Sequence, residues 1–311
     1  MEFYGLLTFS EGLLFKKEVL GRSFDTKIAG IDISICFPCY CSGKDQRKSE
    51  DLSCPLEAQN RKVKLKRNGD KINWGYPNIL PSGNSVVYAV MVIAYCKDKE
   101  EVEEVSQKLY SAIKQWERSF VDYICLCTKQ SVGGLIYTDS SNCRLELFDD
   151  KYINNHSHKF VFNMYLHSKD EYLSIKQVEE ALSFATSNKE LLLEYQMLLS
   201  AYKAKNVEQY RQAVVDACSA VEICLNNQIE KYCQKKELDS DILFKKYWSL
   251  GDKFSLIMKI DNQFNISNPF DRIVSPRNKV VHKNEFPDAK TTWDLLIAVE
   301  ECLKLYNTYY Y

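Results

Sequence analysis

From about Ser168 onward the apolar residues recur mainly at three- and four-residue steps, whereas before Asp98 they fall in short β-branched runs broken by turns. The two periods belong to different elements, because side chains share a face every 3.6 residues on a helix and every second residue on a strand. The chain is therefore expected to hold an α+β, strand-rich N-terminal domain over residues 1–170, followed by an all-α antiparallel helical bundle over 171–311. The boundary falls between about 168 and 188.

In the second part Ser174–Ala185 and Lys189–Ala204 are candidate helices. The strongest pattern follows them: Val207, Tyr210, Val214, Ala217, Val221, Leu225 and Ile229 line one face, with Asn206 as the expected cap. Asp241–Ile260 is expected to be helical with an interruption at Gly251, and Thr291–Tyr309 closes the chain. In the first part the expected strands are Tyr4–Phe9, Leu13–Leu20, Thr26–Phe37, Lys62–Arg67 and Val86–Cys96. An amphipathic helix carries Val102, Val105, Leu109, Ile113, Trp116 and Phe120 behind an acidic opening, which suits the positive end of a helix dipole. Strands are expected to resume at Tyr123–Thr128, Leu135–Thr138, Cys143–Phe148 and His158–Leu166.

The formal net charge is −1 over 311 residues, so there is no global basic field, and any contact with nucleic acid has to be local. The start lacks a basic stretch followed by an apolar run, and the longest apolar run, Val86 to Cys96, has 11 residues and cannot cross a bilayer as a helix. With twelve cysteines and no export signal, reduced thiols and a cytoplasmic location are expected, with no membrane partner.

One short stretch gathers chemistry: Ser275-Pro276-Arg277-Asn278-Lys279-Val280-Val281-His282. Ser275 suits an N-cap and Pro276 a first helical position, so a helix is expected to begin here. Arg277 and Asn278 would then lie in its first turn, where unpaired N–H groups attract phosphate. Asn278 and His282 are one turn apart, while Arg277 and His282 are separated by roughly 140° around the axis. Only the reach of the arginine lets both address one ligand. An always-charged fork, an amide and an imidazole in this arrangement suit a phosphodiester. The plainer alternative is a solvated arginine beside an unrelated histidine.

A helical bundle bearing Arg277-Asn278-Lys279-Val280-Val281-His282 on its penultimate helix resembles the HEPN superfamily, whose hallmark is Arg, a polar residue and a following His. The helix Tyr210–Glu222 and the ending, a Pro-containing loop before a Trp- and Leu-bearing helix, are similar to that family as well. The likeness covers about residues 175–311, and the placement of a strand-rich domain ahead of it resembles Apea-like phage-defence proteins.

The resemblance implies a metal-independent endoribonuclease with no cofactor, acting as a homodimer whose two motifs form one composite site. The ribose 2′-OH attacks the neighbouring phosphorus to leave a 2′,3′-cyclic phosphate. In that scheme Arg277 stabilises the phosphorane charge, His282 is the general acid or base, and Asn278 orients the phosphate or the ring. Lys279 and Lys283 are expected to hold RNA phosphates, and Glu222 to support Arg277 from inside the bundle. An activating ligand or phage component would act on the N-terminal domain, in anti-phage defence or as a toxin. The other readings are a non-catalytic HEPN module that binds RNA, a nucleotide or a protein partner, and a bundle that serves dimerisation alone.

Other groups outside the motif also carry ligating or stacking side chains. Cys36, Cys39, Cys41 and Cys54 can supply four thiolates to zinc, or simply pack. Cys125 and Cys127 are expected to pack on a strand. His156 and His158 sit in a polar stretch suited to an exposed loop or a metal site. Tyr306, Tyr309, Tyr310 and Tyr311 suit helix-end packing, dimer contacts or base stacking.

Overall fold

The computed structural model of this protein describes residues 2–40, 51–63, 72–77, 85–97, 101–129, 131–132, 144–148, 164–165, 172–187, 189–307 and 310. They form two compact units, Met1–Lys189 and Glu190–Tyr311.

The first unit is built on an antiparallel sheet. Its strands are β1 (Glu2–Phe15), β2 (Ser23–Ile28), β3 (Ile31–Cys36), β4 (Gly75–Pro77), β5 (Ser85–Tyr95) and β7 (Arg144–Phe148). They lie in the order β2-β3-β5-β1-β7, with β4 also on β5; β6 (Ser131–Val132) and β8 (Met164–Tyr165) pair separately. Strand β5 is buried along nearly its whole length, which is why it reads as a continuous apolar run rather than an alternation. It pairs with β1 in a register that sets Leu6 against Met91 and shifts between Thr8 and Leu13. That irregularity joins two segments expected to be separate strands.

The expected strand Thr26–Phe37 is instead a hairpin. It folds at Ala29 and Gly30, whose φ values of 51° and 78° suit a two-residue turn between twisted strands. Lys62 and Val63, the described part of the expected strand Lys62–Arg67, follow the short helix α1 (Leu56–Asn60) without joining the sheet. The expected strand Tyr123–Thr128 is helical too, because α2 runs unbroken over Glu101–Thr128. Its β-prone end is held by α3 (Ile175–Thr186): Tyr123 and Phe184 have ring centroids 5.3 Å apart, and the Tyr123 hydroxyl donates to Glu180 at 3.3 Å. Cys125 and Cys127 therefore lie on a helix. Helix α3 belongs with the first unit rather than with the bundle, where the sequence had placed it. Its hydroxyl of Thr186 lies 2.7 Å from that of Thr26 on β2.

The second unit is helical: α4 (Leu193–Asn206), α5 (Tyr210–Lys236), α6 (Ser240–Lys246), α7 (Leu250–Ile260), α8 (Ser275–His282) and α9 (Ala289–Tyr306). Asn206 ends α4 instead of capping α5, which opens behind Gln209. Helix α5 is the centre of this unit: Ala217, Val221, Leu225 and Ile229 are fully covered, as are Leu296, Val299 and Leu303 of α9. The break expected at Gly251 falls earlier, because Ser249 and Asp252 form a capping box that starts α7 afresh. Gly251 is inside α7, where a Cβ would stand 3.6 Å from Val274. The chain end returns to the start of α4, with the Leu192 amide donating to the Tyr310 carbonyl at 2.9 Å.

No helix among the described residues is long and apolar enough to cross a membrane.

Candidate functional site

The segment carrying Arg277, Asn278 and His282 differs from the expected helix start. A π turn over Phe270–Val274 leads straight into α8, and both Val274 and Ser275 have right-handed helical torsions. The Ser275 amide already donates to the Phe270 carbonyl, so Ser275 caps nothing. Pro276 explains the wide turn. A proline has no amide to donate, and its ring would meet the carbonyl four residues back in an ordinary α-helix, a crowding that a π turn relieves. Arg277 and Asn278 therefore follow a helical stretch instead of opening a helix, and the site relies on their side chains.

Those side chains converge. Arg277 Nη1 donates to Asn278 Oδ1 at 3.2 Å and lies 3.0 Å from His282 Nε2. Guanidinium has no acceptor, so this contact is a hydrogen bond only where Nε2 presents its lone pair to the arginine. Arg277 is half-buried, and Asn278 and His282 are exposed, leaving the group open to a ligand. Lys279 and Lys283 are exposed on the same short helix and its end, and among the described residues neither ammonium has a hydrogen-bond or ion-pair partner.

The floor of the site is α5. Cys218 is buried there, with its Sγ 4.0 Å from the Ile273 carbonyl. Burial pushes its thiol up to about 12, while the positive charge of nearby Arg277 pulls the other way. One turn on, Glu222 was expected to brace Arg277. It is instead ion-paired with Lys253 of α7, whose side chain is only 8 % exposed, and it forms no hydrogen bond or ion pair with the arginine. Glu222 lies where the buried ammonium most needs a counter-charge, since an unpaired lysine there would carry the full desolvation cost.

Arg211, Asn284 and Phe286 bear on this site and were not singled out from sequence. Arg211, in the first turn of α5, donates to Asn284 Oδ1 at 2.5 Å and to the Val280 carbonyl at 3.4 Å. Its guanidinium also stands 5.0 Å from the ring centroid of Phe286. Asn284 has φ +55°, and the amides of Lys283 and Glu285 both donate to the Lys279 carbonyl at 3.1 Å. The chain thus reverses directly after His282, and Arg211 pins the reversal. The available signal was the Arg at the start of the strongest helix, which only tertiary packing links to a loop about 70 residues away.

The remaining candidates do not join the site. Cys39 Sγ meets Ser53 Oγ at 3.2 Å and the Cys54 carbonyl at 3.2 Å, and accepts from Gln59 Nε2 at 3.3 Å. Cys36 is buried on β3, Cys41 lies outside the described residues, and no cluster of three or more metal-ligating side chains occurs among the described ones. His156, His158, Tyr309 and Tyr311 also lie outside the described residues. Tyr306 donates to Asp261 at 2.7 Å and Tyr310 packs edge-on against Tyr195, so both are engaged within the unit.

No family model, curated protein or solved structure matches the chain.

Proposed function

We propose that this protein is a metal-independent endoribonuclease of HEPN type, acting on RNA through Arg277, Asn278 and His282. The observation that carries the reading is the convergence of the three on one exposed patch, with Arg277 Nη1 at 3.0 Å from His282 Nε2 and 3.2 Å from Asn278 Oδ1. A fork-shaped cation beside an imidazole and an amide suits in-line attack by a ribose 2′-OH, which needs a proton acceptor, a proton donor and stabilisation of charge on phosphate.

In the proposed reaction two copies of the chain bring their motifs together. A neutral His282 takes the 2′-OH proton as that oxygen bonds to phosphorus. The P–O5′ bond breaks, and the 5′-oxygen takes a proton from the protonated ring of the second copy. Arg277 leaves His282 for the phosphate and stabilises the charge gathering on its oxygens, while Asn278 orients it. Lys279 and Lys283 hold flanking phosphates. The products are a 2′,3′-cyclic phosphate and a 5′-hydroxyl, so DNA is not a substrate. The protein would work in the cytoplasm, in anti-phage defence or as a toxin, with the N-terminal unit receiving the trigger.

The alternative is a non-catalytic HEPN module binding RNA, a nucleotide or a protein partner. It is favoured by the fact that Arg277 covers the lone pair that His282 would use as a base. End-labelled RNA incubated in EDTA with wild type and with His282→Ala separates the two. Cutting by the wild type alone, leaving a cyclic phosphate, supports the enzyme; binding without cutting under any activator supports the alternative.

A further inference from the structure

We infer that Phe286, backed by Arg211, is a stacking platform for one unpaired nucleobase beside the scissile phosphate; this rests on the ribonuclease reading. Phe286 is 79 % exposed, more than any other large apolar side chain of the described residues. It is nevertheless not loosely placed. Arg211 stands over its ring at 5.0 Å while bonding Asn284 and the Val280 carbonyl, so one cation ties the ring to the loop that carries it. Phe286 also precedes Pro287, which restricts its backbone to extended conformations. An aromatic face held in place and left open loses little entropy when a flat apolar surface is laid on it.

The charge around it selects the kind of flat surface. Between Arg277 and Pro287 the chain carries Arg277, Lys279 and Lys283 against a single carboxylate, Glu285, and Arg211 of α5 adds another cation. Asp288, the next acidic residue, is occupied in capping α9 through the Thr291 amide. A partner for this patch must be both anionic and aromatic, which describes a single-stranded nucleotide segment and not an apolar helix. Bases inside a duplex have their faces covered by their neighbours, so the ligand is RNA with an unstacked base. Phe286 follows His282 by four residues across the pinned reversal, which sets the platform next to the reacting phosphate rather than at a distant site.

The test uses the full chain and a single-stranded 2′-O-methyl RNA, which cannot be cut, carrying 2-aminopurine at successive positions. Wild type is expected to quench the probe at one position. Phe286→Leu, which keeps apolar bulk but loses the π face, should abolish the quenching and weaken binding on the order of tenfold. Phe286→Trp should restore both, and the same sequence as a duplex should show no position-specific quenching.

Equal quenching by wild type and Phe286→Leu would overturn the platform while leaving the RNA reading intact. A Phe286→Leu variant that changes oligomeric state but still quenches would make the residue an interface contact instead. Failure of the wild type to bind RNA at all, with or without an activator, would remove the ribonuclease reading and the platform with it.

Discussion

Arg277 and His282, five residues apart on one helix, meet at 3.0 Å between Nη1 and Nε2, although their Cα positions point to different sides of the axis. The length of the arginine side chain spans the difference, and the same Nη1 also donates to Asn278 Oδ1. The contact exists only for the neutral ring, because protonation removes the acceptor. It lies at the surface and makes a small contribution to stability, so it can open when a phosphate arrives.

Replacing either partner should therefore affect chemistry far more than folding. His282→Ala and Arg277→Ala are each expected to lower RNA cleavage by about 10²–10⁴-fold while shifting unfolding free energy by only about 0.5 kcal/mol. Arg277→Lys should not rescue, since an ammonium lacks the planar fork. Cleavage assays beside urea denaturation check this; undiminished cutting by both alanine variants sinks the assignment.

The Glu222–Lys253 pair makes the opposite kind of prediction. Lys253 is buried and Glu222 about a third exposed, so Glu222→Ala strands an ammonium and is expected to cost about 1–3 kcal/mol. Adding Lys253→Met, which removes the stranded charge, should recover most of the loss. Chemical denaturation of the four proteins of the cycle measures the coupling, and a double variant no more stable than Glu222→Ala would disprove the account.

Glu117 on α2 gives a pH dependence. It is 2 % exposed, and its Oε1 has no hydrogen-bond partner. Burial, aided by the Asp122 carboxylate, pushes its carboxyl from the ordinary 4.5 up to about 8. A raised carboxyl means that the folded state holds the proton more tightly. Its contribution to stability is complete below about pH 4.5 and is lost as pH rises toward 8, with a slope on the order of 1 kcal/mol per pH unit. Glu117→Gln should flatten this slope and raise the melting temperature more at pH 8 than at pH 5. Parallel slopes for the two proteins would show that Glu117 is not the group responsible.

At the start of α7 the Ser249 side chain accepts from the Asp252 amide at 3.2 Å, and Asp252 accepts in return from Ser249. Ser249→Ala is expected to destabilise the protein by about 1 kcal/mol, and Ser249→Asp by much less, because aspartate also caps. Thermal melting decides between a cap and a bystander serine.

The division into a strand-rich part and a helical part follows from sequence alone, because the spacing of apolar residues reports which face a regular element must bury. The six-residue motif was legible for a related reason: its members lie on one local element, and the reach of an arginine can be computed from helix geometry. Sequence failed where local preference met long-range packing. Tyr123–Thr128 has strand-like composition, yet burial against Phe184 keeps it helical. Thr26–Phe37 alternates like one strand, and only the positive φ at Ala29 and Gly30 divides it.

Other features depended on contacts that no spacing encodes. Ser275 looked like a cap because caps are local, but the π turn before it arises from how Pro276 is accommodated within a helix already under way. Glu222 reads as an inward carboxylate from its place on the helix, and tertiary structure chose its partner, since a buried Lys253 demands a counter-charge more strongly than a half-exposed arginine does. Arg211 joins the site only because α5 brings its first turn against the end of α8. The sequence by itself determined which residues are candidates for chemistry and that a helix bears them, as both are set by neighbours within a turn or two. The tertiary structure decided which charges meet and which loop is pinned, because burial sets the energy of those contacts and burial is a property of the whole fold.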